Sequence, residues 1–191
     1  MRGRIFVAAA LLMVVTPPGK FLAQSRGAPE TFSANAHVLG AATGAGAAII
    51  QVHVRRYTPE ADRKAVETAL QTGGFASFVA ALKKAPEVGY VIAGDSKWPI
   101  HWAREREVKN GRQIVVVTSQ PMFFVGGGRV DAKPREGFDV GLIQLNVDDV
   151  GLGNGTMAAA ARVKPGGEAG IVVEDYADKP IKLVTVSRKI D

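Results

Sequence analysis

Ile50-Gln51-Val52-His53-Val54-Arg55-Arg56-Tyr57-Thr58-Pro59-Glu60 is where the chain changes its period. Up to Tyr57, the apolar Ile50, Val52 and Val54 alternate with Gln51, His53 and Arg55, the two-residue repeat of a strand with one dry face and one wet face. From Thr58 the repeat becomes helical. Thr58 is a good cap, Pro59 fits the first helical position, and Glu60 suits the positive end of the helix dipole. Ala61, Ala65, Val66, Ala69 and Leu70 form an apolar stripe, and Gly73-Gly74 supplies a left-handed exit. Phe75, Phe78, Val79 and Leu82 mark a second helix, with Lys83-Lys84 in its last turn and Pro86 as the stop. The spacing therefore predicts a helical hairpin over residues 59–85. Its few large apolar side chains do not offset the backbone entropy of fixing it, so it must dock on the rest of the chain.

Everything around the hairpin reads as strand and turn. Upstream lie strands at 31–39 and 48–57; downstream they are expected at 88–93, 100–109, 113–119, 122–125, 138–147, 156–163, 171–176 and 181–187. Asn110-Gly111 is the strongest hairpin signal and suits a type I′ turn. Residues 151–155 and Asp178-Lys179-Pro180 read as further turns, and 126–137 as one long glycine-rich loop. Short connections require antiparallel pairing, because a parallel crossover takes a dozen or more residues. The expected class is α+β: an antiparallel β barrel or sandwich of eight to ten strands, with a helical hairpin inserted after the second strand.

At the amino end, Arg2 and Arg4 precede an apolar run over residues 5–15, and Ala23-Gln24-Ser25 offers small residues before a cut. This is signal-peptide anatomy, and the run is too short for a membrane span. The expectation is a leader over residues 1–25, a single domain over 26–191, and a periplasmic or extracellular location with no stable membrane insertion of the mature chain. A domain of this length buries about 70% of its unfolded surface, enough for a core without metal or disulfide. Cysteine is absent, which excludes thiol nucleophiles, thiolate metal sites and disulfides.

The formal charge of +6 shrinks to +3 once Arg2, Arg4 and Lys20 leave with the leader. Bases alternate with acids, as in Arg104-Glu105-Arg106-Glu107, so the concentrated basic stretch of a nucleic-acid protein is not expected.

Tyr57-Thr58-Pro59-Glu60-Ala61-Asp62-Arg63, Ala85-Pro86-Glu87-Val88-Gly89-Tyr90, Gly111-Arg112-Gln113-Ile114-Val115-Val116, Asp175-Tyr176 and Pro180-Ile181-Lys182-Leu183 resemble a family of small exported bacterial proteins with no assigned activity. The resemblance covers most of residues 31–187 and implies compartment and architecture, but no site residue. In layout alone, helices over a many-stranded antiparallel sheet are also similar to intracellular lipid-binding barrels. Here the helices follow the second strand and not the first, and no Gly-x-Trp is present.

Catalytic signals are weak. Gly94-Asp95-Ser96 lacks the downstream histidine of Gly-Asp-Ser lipases and reads as a turn. Gly44-Ala45-Gly46 and the run 151–155 are followed by strands, not by the helix a phosphate loop requires. Asp148-Asp149 lacks the alternating acids of a calcium loop, and His37, His53 and His101 have no metal-ligand spacing. No cofactor or metal is expected.

The strongest binding signal is Ile100-His101-Trp102-Ala103-Arg104-Glu105-Arg106-Glu107-Val108, which as a regular strand puts Ile100, Trp102, Arg104, Arg106 and Val108 on one face. Were that face inward, Arg104 and Arg106 would hold the anionic head of an amphipathic ligand, with Trp102, Phe123 and Phe124 beside its tail. The competing reading has the face outward and the arginines paired with nearby acids. The leading functional expectation is thus an exported non-catalytic domain taking a small amphipathic or anionic ligand. The alternative is an envelope protein–protein interaction module with a filled interior, and a hydrolase without a recognisable motif stands third.

Overall fold

The computed structural model describes residues 28–37, 47–122 and 135–189. The leader, Phe123, Phe124, Gly44-Ala45-Gly46 and most of the glycine-rich loop lie outside the described residues. In chain order the elements are β1 (Glu30–His37), β2 (Ala47–Val54), α1 (Glu60–Lys84), β3 (Gly89–Ala93), β4 (Ser96–Val108), β5 (Gly111–Thr118), β6 (Val140–Val147), β7 (Leu152–Pro165), β8 (Ile171–Tyr176) and β9 (Ile181–Lys189). Every pairing is antiparallel.

Strands β1 to β6 pair in sequence, β6 pairs with β7, β7 with β9, and β9 returns to β1. This closes an eight-stranded barrel. β8 is the extra strand. Residues Leu152 to Met157 of β7 bond β9, whereas Ala161 to Pro165 bond β8 along the same edge, so β8 takes over where β9 leaves.

Two apolar layers follow from strand alternation. Inward side chains, among them Phe32, Ile50, Val52, Ile100, Ile114, Ile143, Leu145, Met157 and Leu183, form one contiguous core inside the barrel. Eight strands enclose a space that side chains can fill. Outward side chains on β4 to β8, including Trp102, Val115, Val117, Leu142, Ala161 and Ile171, meet Val66, Leu70, Phe78, Val79 and Leu82 of α1. Strand β5 is covered on both sides, which explains its unbroken Ile114-Val115-Val116-Val117.

The helical hairpin is corrected to one kinked helix. Gly74 alone leaves helical geometry, at φ 70° and ψ −166°, and the helix resumes with no loop between its halves. Both halves bury their stripes on the same outer wall, so α1 covers a side of the barrel and not an opening. Thr58 is also not its cap: no side chain caps this end. Instead the Thr58 amide donates to the Ala103 carbonyl, and its hydroxyl accepts from the Ala103 amide at 2.8 Å, which ties the start of α1 to β4. At the other end Ala85 is extended before Pro86, as a pre-proline residue must be, and His101 Nδ1 donates to the Ala85 carbonyl at 2.7 Å.

Two turns differ from expectation. Val108 pairs with Gly111, so the connecting residues are Lys109 and Asn110, neither with positive φ, while Gly111 takes φ 132°. The hairpin stands but the turn is not type I′. The run 152–155 belongs to β7, because β6 passes so close that a Cβ at Gly153 would lie 1.9 Å from the Asn146 carbonyl oxygen. The turn precedes it: Asp148 Oδ1 accepts from the amides of Val150 and Leu152. No helix among the described residues is long and apolar enough to cross a membrane.

Candidate functional site

The register of β4 decides where the expected ligand-binding residues point. A bulge between Ile100 and Trp102 breaks the alternation. Ile100 faces the barrel core, whereas Trp102, fully buried, faces outward beneath α1. The single face expected for Ile100, Trp102, Arg104 and Arg106 is therefore split, and Arg104 and Arg106 follow Trp102 to the outside. Arg106 Nε donates to Gln113 Oε1 at 2.8 Å, its Nη1 pairs with Glu168, and Gln113 Nε2 passes the chain on to Asn146 Oδ1 at 2.9 Å. Arg104, half-buried opposite Val115, has no ion pair among the described residues. The Trp102 indole N–H is buried without an acceptor there. Phe123 and Phe124 are not among the described residues.

The inward charged residues are others. Glu30, at the start of β1, is 3% exposed and shares its inward face with Phe32. Arg112, at 7%, points inward from β5 alongside Ile114. Their contact is bidentate: Nη1 to Oε1 at 2.9 Å and Nη2 to Oε2 at 2.6 Å. Arg112 Nη1 also donates to Glu105 Oε1 at 2.6 Å, the Tyr57 hydroxyl donates to Glu30 Oε1, and Arg188 Nε stands 3.0 Å from Glu30 Oε2. The Arg188 contact is close enough for an ion pair but not aligned as a hydrogen bond. Two guanidiniums thus balance two carboxylates at one end of the barrel.

Burial pushes the Tyr57 hydroxyl's pKa well above its ordinary range, and the Glu30 carboxylate that accepts its hydrogen bond pushes further the same way. Burial would lower the pKa of Arg112, but the hydrogen bonds to Glu30 and Glu105 outweigh it and leave the guanidinium more firmly protonated than usual. Each charge is answered by an opposite one, so the network closes the barrel end without presenting a charge for a ligand. The sequence carried a signal for it. Alternation puts Glu30 on the face of Phe32 and Arg112 on the face of Ile114, and a charge on an apolar face asks for a partner.

On the opposite wall from α1, sequence reasoning missed a second cluster. Thr31 Oγ1 lies 2.9 Å from His53 Nδ1, and His53 Nε2 lies 3.2 Å from Gln51 Oε1. One tautomer satisfies both: Nδ1 accepts from Thr31, and Nε2–H donates to Gln51. A hydroxyl, an imidazole and an amide in line have the outline of a nucleophile, its base and an orienting group. Yet Thr31 is only 6% exposed, and β1 is hydrogen-bonded on both sides, to β2 and β9, so its amides supply no oxyanion donors. The line acts as a strap across the strands. Next to it the His53 and Tyr90 rings stack at 4.5 Å, and Lys97 Nζ sits 4.0 Å over the Tyr90 ring.

The other candidates part company. Gly94 and Asp95 connect β3 to β4, and Ser96 pairs with Ala93 in the ladder. His37 is exposed at the end of β1, His53 is strapped to Thr31, and His101 holds the end of α1. No group of three or more metal-ligating side chains assembles among the described residues.

An antiparallel β-barrel with one extra strand and one helix on its outer wall is thus the class that fold and site define. No protein-family profile, curated protein or solved structure matches the chain, so the resemblance to small exported bacterial proteins rests on the residues quoted for it.

Proposed function

We propose that this chain is an exported, non-catalytic binding domain that meets its partner on the outside of its barrel. The observation that carries the reading is the interior itself, one contiguous apolar cluster with a charge-balanced network at its end. An amphipathic ligand inside would need an unanswered cation to hold its head, and the arginines expected to serve stand on the outer surface instead. Export rests on the amino-terminal Arg2 and Arg4, the apolar run 5–15 and the small residues 23–25. The non-catalytic reading is supported by the burial of Thr31 in the line of hydroxyl and imidazole found among the described residues.

Two measurements on protein expressed with its leader test this. Amino-terminal sequencing of the exported product is expected to begin near Arg26. Mass spectrometry of an organic extract of that product is expected to find no stoichiometric lipid, and a bound lipid at one per chain overturns the surface reading. Hydrolase activity abolished in both Thr31→Ala and His53→Ala overturns the non-catalytic one.

A further inference from the structure

We propose that the wall of the barrel left uncovered by α1, formed by β9, β1, β2, β3 and the first half of β4, binds an acidic polysaccharide, a polymer of ring sugars bearing carboxylates. This rests on the reading that the outside is the working surface, and adds where and for what chemistry.

The register sets the outward side chains of this wall in rows that cross the strands. One row runs Lys189, Thr31, His53, Tyr90, Pro99. The next runs Ser187, Ser33, Gln51, Ile92, Lys97. A third, shorter, sets Val184 beside Asn35 and Ile49, and Ile49 is 62% exposed. None of the outward strand positions here carries Asp or Glu, although the chain has 18 acids. The neighbouring carboxylates sit in connections: Glu87, which pairs with Arg55, Asp95 in the β3–β4 turn, and Asp148 and Asp149 in the β6–β7 turn, which meets β9 where the Arg188 amide donates to the Gly151 carbonyl. Lysines occupy the margins, with Lys97 at one side and Lys182 and Lys189, both exposed, at the other. Between them lie hydroxyls and amides, from Ser33, Asn35, Gln51 and Ser187.

An acid-free wall with cations at its margins selects a polyanion. What kind follows from its middle. Neighbouring strands are about 4.8 Å apart, so each row offers one side chain at intervals comparable with one sugar unit of an extended glycan. Neutral hydroxyls and amides match sugar hydroxyls, which both donate and accept. Nucleic acid is disfavoured by Tyr90. Its neighbours His53 on β2 and Lys97 on β4 flank β3 from either side and take the two faces of its ring, so no nucleobase can stack there.

The test measures binding of the purified protein to polygalacturonate, to dextran as a neutral glycan and to single-stranded poly(dT). Polygalacturonate is expected to bind at low salt and weaken as salt rises, with dextran and poly(dT) at least tenfold weaker. Lys97→Glu with Lys189→Glu is expected to lower polygalacturonate affinity tenfold or more. Gln51→Ala is expected to lower it several-fold without changing the salt dependence, while Lys164→Glu, exposed on β7 outside this wall, leaves it within twofold. Absence of polygalacturonate binding, an equal loss in Lys164→Glu, or tighter binding of poly(dT) through the same lysines overturns the inference. Protein that carries no lipid yet ignores polygalacturonate overturns this inference alone and leaves the surface-binding reading standing.

Discussion

Replacing Glu30 by Gln removes one negative charge while keeping the side chain's shape. In the native protein this carboxylate, with its side chain 1% exposed, answers both Arg112 and Arg188 and accepts a hydrogen bond from the Tyr57 hydroxyl. In Glu30→Gln, Glu105 still answers Arg112, but nothing answers Arg188, and the amide's N–H groups point donor against donor toward a guanidinium. Removing one partner of a buried pair costs about 3–5 kcal/mol, because the other charge stays behind in a poor solvent. Domains of this size lose about 2–4 °C per kcal/mol, so the melting temperature is expected to fall by about 6–20 °C. The assay is thermal unfolding followed by circular dichroism, at 0.1 M and 1 M salt. Surface pairs such as Lys64–Glu60, with both side chains about two-thirds exposed, are screened by salt. The Glu30 loss should persist in high salt. Adding Arg188→Met should recover part of it, since the unanswered charge goes too. A Glu30→Gln loss below about 1 kcal/mol, or one that vanishes in 1 M salt, refutes a buried network.

The same network gives an alkaline signature. The folded state holds the Tyr57 proton where the unfolded chain has released it, so the stability it contributes is complete below about pH 10 and declines above that by about 1.4 kcal/mol per pH unit. Tyr57→Phe should cost about 1.5–3 kcal/mol at pH 7, for a lost hydrogen bond to a charged group, and flatten the decline measured by urea unfolding at pH 10 to 11.5. Phe78→Ala, fully buried between α1 and the barrel wall, should cost about 3–5 kcal/mol and red-shift the emission of Trp102 beneath it. Gly74→Ala has open space for its methyl group but must adopt φ 70°, so about 1–3 kcal/mol should be lost in thermal unfolding with the core unchanged.

Much of the fold was legible because burial imposes period. The Ile50, Val52, Val54 alternation, the 171–176 strand and the helical insertion after the second strand all stand. Closure was not legible, since β6–β7 and β9–β1 pairing depends on strands meeting around a ring, which no local pattern encodes. The hairpin was misread at Gly73-Gly74 because a glycine able to end a helix can equally bend one, and a shared docking wall decides between them. Among candidate site residues, the bulge at His101 split the single face expected for Ile100 and Trp102, an irregularity invisible to strict alternation. Glu30 and Arg112 were missed because the expected strands began one residue after each, at 31 and 113, although alternation carried one residue further puts both charges on apolar faces. The acid-free wall was not legible, because its rows assemble from five strands drawn from both ends of the chain.

Thr31 lies opposite Lys189 across the β1–β9 seam, so the ring joins the first described strand to the last. No nascent or half-threaded chain can complete that circuit, and contacts of such long range form slowly. A polypeptide passing through a narrow conduit amino end first therefore reaches the far side still open. It locks only when its final strand arrives, a timing that the hydrogen-bond pattern alone enforces.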